Sequence, residues 1–273
     1  MWLANVRGLP FRERVETTAK ANFGWLTTSP NDYDQILSSG LTANDMRNIA
    51  ADNGVQLTYL DPLAKWVPEW QPENASAQTL AYFDRSPDDF FRIAEALQVD
   101  KVHLIGTFPE GRYETNYLAE QYAAICDRAA GNGMLCTIEA IPFLGIKTLE
   151  DVWQIVSRAG RPNSGIIFDT WHYVRGGRDD ELLSSIPSGV IKTVQLADGT
   201  LETPPGRSDI EDCIFYRRPI GEGELPISEI IQLLRNAGQL SSVGPEIFSA
   251  ELDTLDGEQI IRRIMPGFNR ALV

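Results

Sequence analysis

Glu139, Asp169, Gln195 and Glu246 each stand at the end of an apolar run: Met134 to Glu139, Gly165 to Asp169, Val190 to Gln195 and Ser242 to Glu246. Each run reads as a buried strand, where an isolated charge is costly unless something cancels it. A divalent cation would do so. One acid at one strand end is usually a loop cap or an ion-pair partner. Acids and an amide on four consecutive strands form instead a hard oxygen donor set, suited to one Mn²⁺, Mg²⁺ or Co²⁺ ion more than to a soft-ligand metal.

The elements that must position these residues alternate along the whole chain. The pattern predicts strands over Trp2–Val6, Gly24–Thr28, Val55–Leu60, Lys101–Ile105, Met134–Ile141, Gly165–Phe168, Val190–Leu196 and Val243–Phe248. Helices are predicted over Phe11–Phe23, Ala43–Asp52, Asp88–Leu97, Thr115–Ala130, Leu149–Ala159, Asp179–Ser185, Ile227–Ala237 and Gly257–Phe268, with Gly54 as a stop signal. Eight β/α pairs without a linker or a break in composition predict an α/β chain folded as a (β/α)8 TIM barrel, one domain over residues 1–273. In such a barrel the active site lies at the C-terminal ends of the strands, where all four polar residues fall. Residues two apart on a strand share a face, so Thr137 with Glu139, Ile167 with Asp169 and Thr193 with Gln195 point alike. No GxGxxG or GxxxxGK[ST] segment offers a nucleotide-binding alternative.

At these residues the chain resembles the xylose isomerase-like barrels, the sugar phosphate isomerase/epimerase superfamily. The resemblance is carried by TIEAIPF around Glu139, IIFDTWHYVRGG around Asp169 and His172, KTVQLADG around Gln195, RRPIGEGELPISEII around Arg218, and GPEIF around Glu246. It implies Glu139, Asp169 and Glu246 as metal ligands and His172, three residues after the aspartate, as a substrate contact; Trp171 and Arg218 are further substrate candidates. Most epimerases of the family carry a histidine where this chain has Gln195, whose amide oxygen can still ligate. In that respect the chain resembles the dehydroshikimate dehydratases.

A cation chelating a carbonyl and its neighbouring hydroxyl stabilises the enediolate formed when the adjacent C–H loses its proton. Glu139 and Glu246 are the acid/base candidates. Proton return to the other face epimerises, return to the next carbon isomerises, and loss of a β-hydroxyl dehydrates. The sequence therefore points to a metal-dependent isomerase or epimerase of a small keto-sugar or polyol derivative. The alternatives are a dehydratase of a cyclic β-hydroxy ketone, an AP-endonuclease-like phosphodiesterase, and a barrel that only binds a partner. The endonuclease reading wants many histidine ligands, and this chain has two histidines and a net charge of −14.

Other residues are read more blandly. His103, inside apolar KVHLIG, reads as a core histidine without a role. Arg217 and Arg218 read as exposed cations able to hold a hydroxyl, carboxylate or phosphate. The long connections Asp61–Arg85, with Trp66 and Trp70, and Thr200–Glu224 read as lids or specificity walls. Three cysteines, Cys126, Cys136 and Cys213, lack CxxC spacing and read as packing residues of a reducing compartment. The acidic balance argues against nucleic acid and anionic membranes, and the start MWLANVRGLPFRER lacks a signal-like apolar stretch. A cytoplasmic protein with a small-molecule partner is expected, with homo-oligomer formation left open.

Overall fold

A computed structural model describes residues 1–70, 72 and 76–273; the middle of the expected Asp61–Arg85 lid, residues 71 and 73–75, lies outside the described residues. The strands are β1 (Trp25–Thr28), β2 (Gln56–Leu63), β3 (Lys101–Leu104), β4 (Leu135–Ile138), β5 (Ser164–Asp169), β6 (Ile191–Leu196) and β7 (Val243–Pro245). All pair in parallel and in chain order. Helices fill the connections and cover the outside, which is the TIM-barrel arrangement in a single domain. Leu149–Ala159 shows how they are set: Thr148 and Asp151 form a capping box, Gly160 ends the helix at φ 58°, and Leu149, Val152, Ile155 and Val156 are buried on one face.

Among the described residues seven strands stand where eight were expected. Trp2–Val6 is not a strand: Leu3–Asn5 is a turn of 3₁₀ helix, with the Val6 N–H donating to Leu3 O at 3.0 Å. The segment still lies across both sheet edges. On the β1 side the Met1 amino group donates to Trp25 O at 2.8 Å, and the Leu3 N–H donates to Thr27 Oγ1 at 2.9 Å. On the β7 side Asn5 Nδ2 donates to Pro245 O at 2.6 Å and its Oδ1 accepts the Ile247 N–H at 3.0 Å. One side chain thus does on that edge what a strand backbone would have done. The alternation WLANV suits a strand, but a turned backbone whose asparagine mimics a peptide leaves the same sequence pattern.

Among the described residues four α-helices were not expected from periodicity: Pro30–Ser38, Ala77–Phe83, Thr170–Arg175 and Asp209–Phe215. All are short, nine residues or fewer, so too few turns exist to show a repeat. Several predicted boundaries also move inward. β4 stops at Ile138 rather than Ile141, β7 at Pro245 rather than Phe248, and the first α-helix at Lys20 rather than Phe23.

The barrel interior fixes which strand residues face the mouth. Trp2, Tyr59 and Ile167 form a buried cluster, with the Trp2 and Tyr59 ring centroids 5.2 Å apart. Tyr59 Oη lies 2.8 Å from Thr193 Oγ1 across the barrel. With Tyr59, Ile167 and Thr193 inside, the residues two further on, Asp61, Asp169 and Gln195, face inward one layer nearer the mouth.

Candidate metal and active site

At the mouth, Glu139 follows β4, Asp169 closes β5, Gln195 lies in β6 and Glu246 follows β7; all four are buried. Ligating atoms of Glu139, Asp169 and His172 lie within 4.8 Å of one another. Three buried polar atoms here have no hydrogen-bond partner among the described residues: Glu139 Oε1, Gln195 Oε1 and His172 Nδ1. Orphaned buried polar atoms are rare in folded proteins, and three around one point mark a site built for a further ligand. Two of them are oxygens with free lone pairs, which fits a hard divalent cation.

Each of these side chains is held from behind. Asp169 Oδ1 accepts the His172 N–H at 2.8 Å, capping the short Thr170–Arg175 helix. Gln195 Nε2 donates to Glu246 Oε1 at 2.8 Å, which leaves the amide oxygen free. Glu139 Oε2 lies 3.3 Å from His103 Nε2, and His103 Nδ1 lies 3.2 Å from Thr137 Oγ1. His103 therefore braces Glu139, a role its apolar sequence context concealed. The inward parity it shares with Thr137, its register partner on β4, is the signal that could have revealed it.

Arg217 corrects the sequence reading most sharply. Expected exposed, it is 2% exposed. Its Nη1 donates to Asp169 Oδ2 at 2.6 Å and lies 3.5 Å from Glu246 Oε2, while Nη2 is 3.0 Å from His172 Nε2. The loop after β6 buries it. Asp198 accepts the N–H groups of Gly199, Gly221 and Leu225 at 2.8, 2.9 and 3.1 Å, and its backbone pairs with that of Arg218. At Gly223 an added Cβ would lie 2.2 Å from Asp198 Oδ1, so the GEG turn can dock only with glycine there.

Arg218 and Trp171 sit less centrally than expected. Arg218 is exposed, and its guanidinium donates to Glu222 O at 3.2 Å. Trp171 is 1% exposed, with Arg175 and Arg217 lying 4.7 and 5.3 Å from its ring centroid. Its contact is thus with the guanidinium that reaches Asp169. Trp66 is likewise a core residue, its Nε1 donating to Ile105 O at 2.8 Å. The cysteines are all free and buried.

The electrostatics follow from burial and one cation. Burial raises Glu139 well above the usual carboxylate range, and Asp169 adds to the effect. Glu246 is raised by burial despite Arg217. Burial would raise Asp169 too, but Arg217 and His172 more than offset it and hold its pKa down. Burial lowers His172 to about 3, so its ring is neutral at ordinary pH.

The sequence matches the xylose isomerase-like TIM barrel family over residues 15–267, and the chain belongs to that family. A 3-dehydroshikimate dehydratase of Pseudomonas aeruginosa is 25% identical over 191 residues, which are 69% of this chain and 29% of that protein. An inosose isomerase of Bacillus velezensis is 27% identical over 146 residues, 53% of this chain and 50% of that protein. The chain thus spans well under half the length of the dehydratase and half that of the isomerase. Among solved structures, the IOLI protein with a bound zinc atom shares the fold at a TM-score of 0.83 and 16% identity, covering 100% of this chain and 96% of that one. No described helix is long and apolar enough to cross a membrane.

Proposed function

We propose that this protein is a divalent-metal-dependent isomerase or epimerase of a small keto-sugar or polyol derivative. The observation that carries the reading is the convergence of Glu139 Oε1, Gln195 Oε1 and His172 Nδ1, all buried and unpartnered among the described residues, beside Asp169 and Glu246. Glu139, Asp169, Gln195 and Glu246 would hold the cation. When bound, it supplies Lewis-acid stabilisation of the charge that grows on a substrate carbonyl oxygen.

The chain's own residues do the rest. Glu139, after the middle strand β4, and Glu246, after the edge strand β7, serve as the acid/base pair, one taking the proton from the carbon beside the carbonyl and the other returning one. Burial strengthens both as bases. His172, whose Nε2 accepts from Arg217, offers a Nδ1–H to a substrate oxygen. Arg217 is a fixed positive charge that keeps Asp169 ionised.

A second reading has a specific basis. On the resemblance given above, Gln195 takes the place that histidine has in most epimerases of the family, and relatives named 3-dehydroshikimate dehydratase match 69% and 87% of this chain. In a dehydration, the His172 Nδ1–H would hydrogen-bond the departing β-hydroxyl, and the carboxylate that took the proton from carbon would give it to that hydroxyl, which leaves as water. The two readings separate by mass. Ketoses, inososes and 3-dehydroshikimate are offered with Mn²⁺, Mg²⁺ or Co²⁺ in D₂O. An isobaric product, heavier only by incorporated deuterium, is expected; a product lighter by one water, lost in His172→Ala, would replace the isomerase by the dehydratase.

A further inference from the structure

Asp61 lies in β2, two residues beyond the inward Tyr59 and so one layer nearer the mouth. Among the described residues no hydrogen bond reaches its carboxylate; His103 Nε2 lies nearest in ion-pair range at 4.0 Å, beyond hydrogen-bond range. Its side chain is 24% exposed, so it is neither solvated freely nor satisfied by the protein. A largely buried carboxylate in that condition is costly to keep. The cations on the following connection are engaged elsewhere, Lys65 with Asp84 at 2.6 Å and Arg85 with Asp34 at 2.6 Å. The titratable groups around Asp61 are His103, Glu139, Glu246, Tyr59 and Tyr82.

Next to it the wall turns apolar. Ala64, Ile105 and Ile141 are buried together, and Phe143 packs against them while its ring lies 6.2 Å from that of His172. The mouth thus presents an acceptor at Asp61, an apolar ring at Phe143 and a donor at His172. That sequence of surfaces matches a molecule with hydroxyls on its edge and C–H groups on its face. An acid or phosphate at the Asp61 end would meet a carboxylate with no cation to answer it.

We propose that Asp61 is the specificity-determining residue of this site: its carboxylate, on the His103 side of the mouth, accepts hydroxyl hydrogen bonds from the substrate, selecting neutral polyols over acids. This rests on the metal-assisted reading of the site given above. The test is calorimetric binding of an inosose and of 3-dehydroshikimate to metal-loaded wild type, Asp61→Asn and Asp61→Ala, with metal content and circular dichroism measured on each preparation. Wild type should bind the inosose more tightly than the acid. Asp61→Ala should weaken inosose binding roughly tenfold or more with metal content unchanged, and Asp61→Asn, whose amide keeps the shape and one acceptor, should fall between. Inosose affinity unchanged in both variants, or a wild-type preference for 3-dehydroshikimate, would overturn the role of Asp61 and leave the metal centre standing. Wild type that takes up no metal would instead overturn the reading of the centre itself, and this proposal with it.

Discussion

His172 Nε2 lies 3.0 Å from Arg217 Nη2, and because a guanidinium can only donate, the imidazole must accept there and carry its proton on Nδ1. That nitrogen has no partner among the described residues. Although His172 lies within ligating distance of Glu139 and Asp169, its free atom is a donor, and the oxygens around it are the better metal ligands. Arg217 therefore sorts the cluster into groups for a cation and a group for the substrate.

The metal set gives the first prediction. Protein prepared without chelator should carry about one divalent ion per chain, and Glu139→Gln or Asp169→Asn should strip most of it. The fold should survive, since the apolar barrel core is untouched. Elemental analysis with circular dichroism reads both. Well-folded wild type without metal under metal-replete conditions would end the argument.

Glu246 is expected to behave differently from Asp169. Glu246→Gln should lower turnover by roughly a hundredfold or more through loss of a base, yet lose less metal than Asp169→Asn, because Asp169 is the carboxylate held ionised and so contributes more of the charge that holds the cation. Both quantities come from one preparation. Retained turnover would make Glu246 a ligand alone and place the base elsewhere.

The polar residues of the site were legible because each closes a buried strand, where only a ligand or partner makes a charge tolerable. Their inward direction followed from the two-residue period, as Thr193 reaching Tyr59 and Ile167 joining Trp2 bear out. Arg217 was not legible. Its burial comes from docking of the 199–225 loop on Asp198, a contact between segments far apart in sequence. Asp61 and His103 were hidden for another reason: β2 and β3 carry these polar residues before further apolar ones, so neither residue closes its strand as Asp169 does. The N-terminal segment defeated the period altogether, because Asn5 bonds β7 through its side chain.

Arg217 also carries a stability prediction. Arg217→Met leaves Asp169 and Glu246 buried without their cation. In metal-free protein this should cost about 3 kcal/mol, a fall in Tm of roughly 6 °C or more. Added Mn²⁺ should recover part of the loss, since it neutralises the same carboxylates. Calorimetry of the variant with and without metal checks this; equal stability of variant and wild type in chelator would show that Arg217 is not the counterion.

Asp61 predicts a pH dependence in chelator-treated protein. Burial raises its pKa from 3.8 to about 6, partly offset by His103. The folded chain therefore holds a proton that the unfolded chain releases, and stability falls as pH rises through the window from about 4 to about 6. Above it, the ionised Asp61 costs folding roughly 1–2 kcal/mol. Asp61→Asn cannot ionise, so its Tm should exceed that of wild type by a few degrees at pH 7.5 and converge with it near pH 4. The sign distinguishes this group from Asp169, whose pKa is lowered and whose contribution is lost as pH falls. Thermal melts of both proteins across this range decide the matter: a gap between them that is largest at pH 4, or absent throughout, would mean that Asp61 is solvated or paired at the mouth and not held there for a ligand.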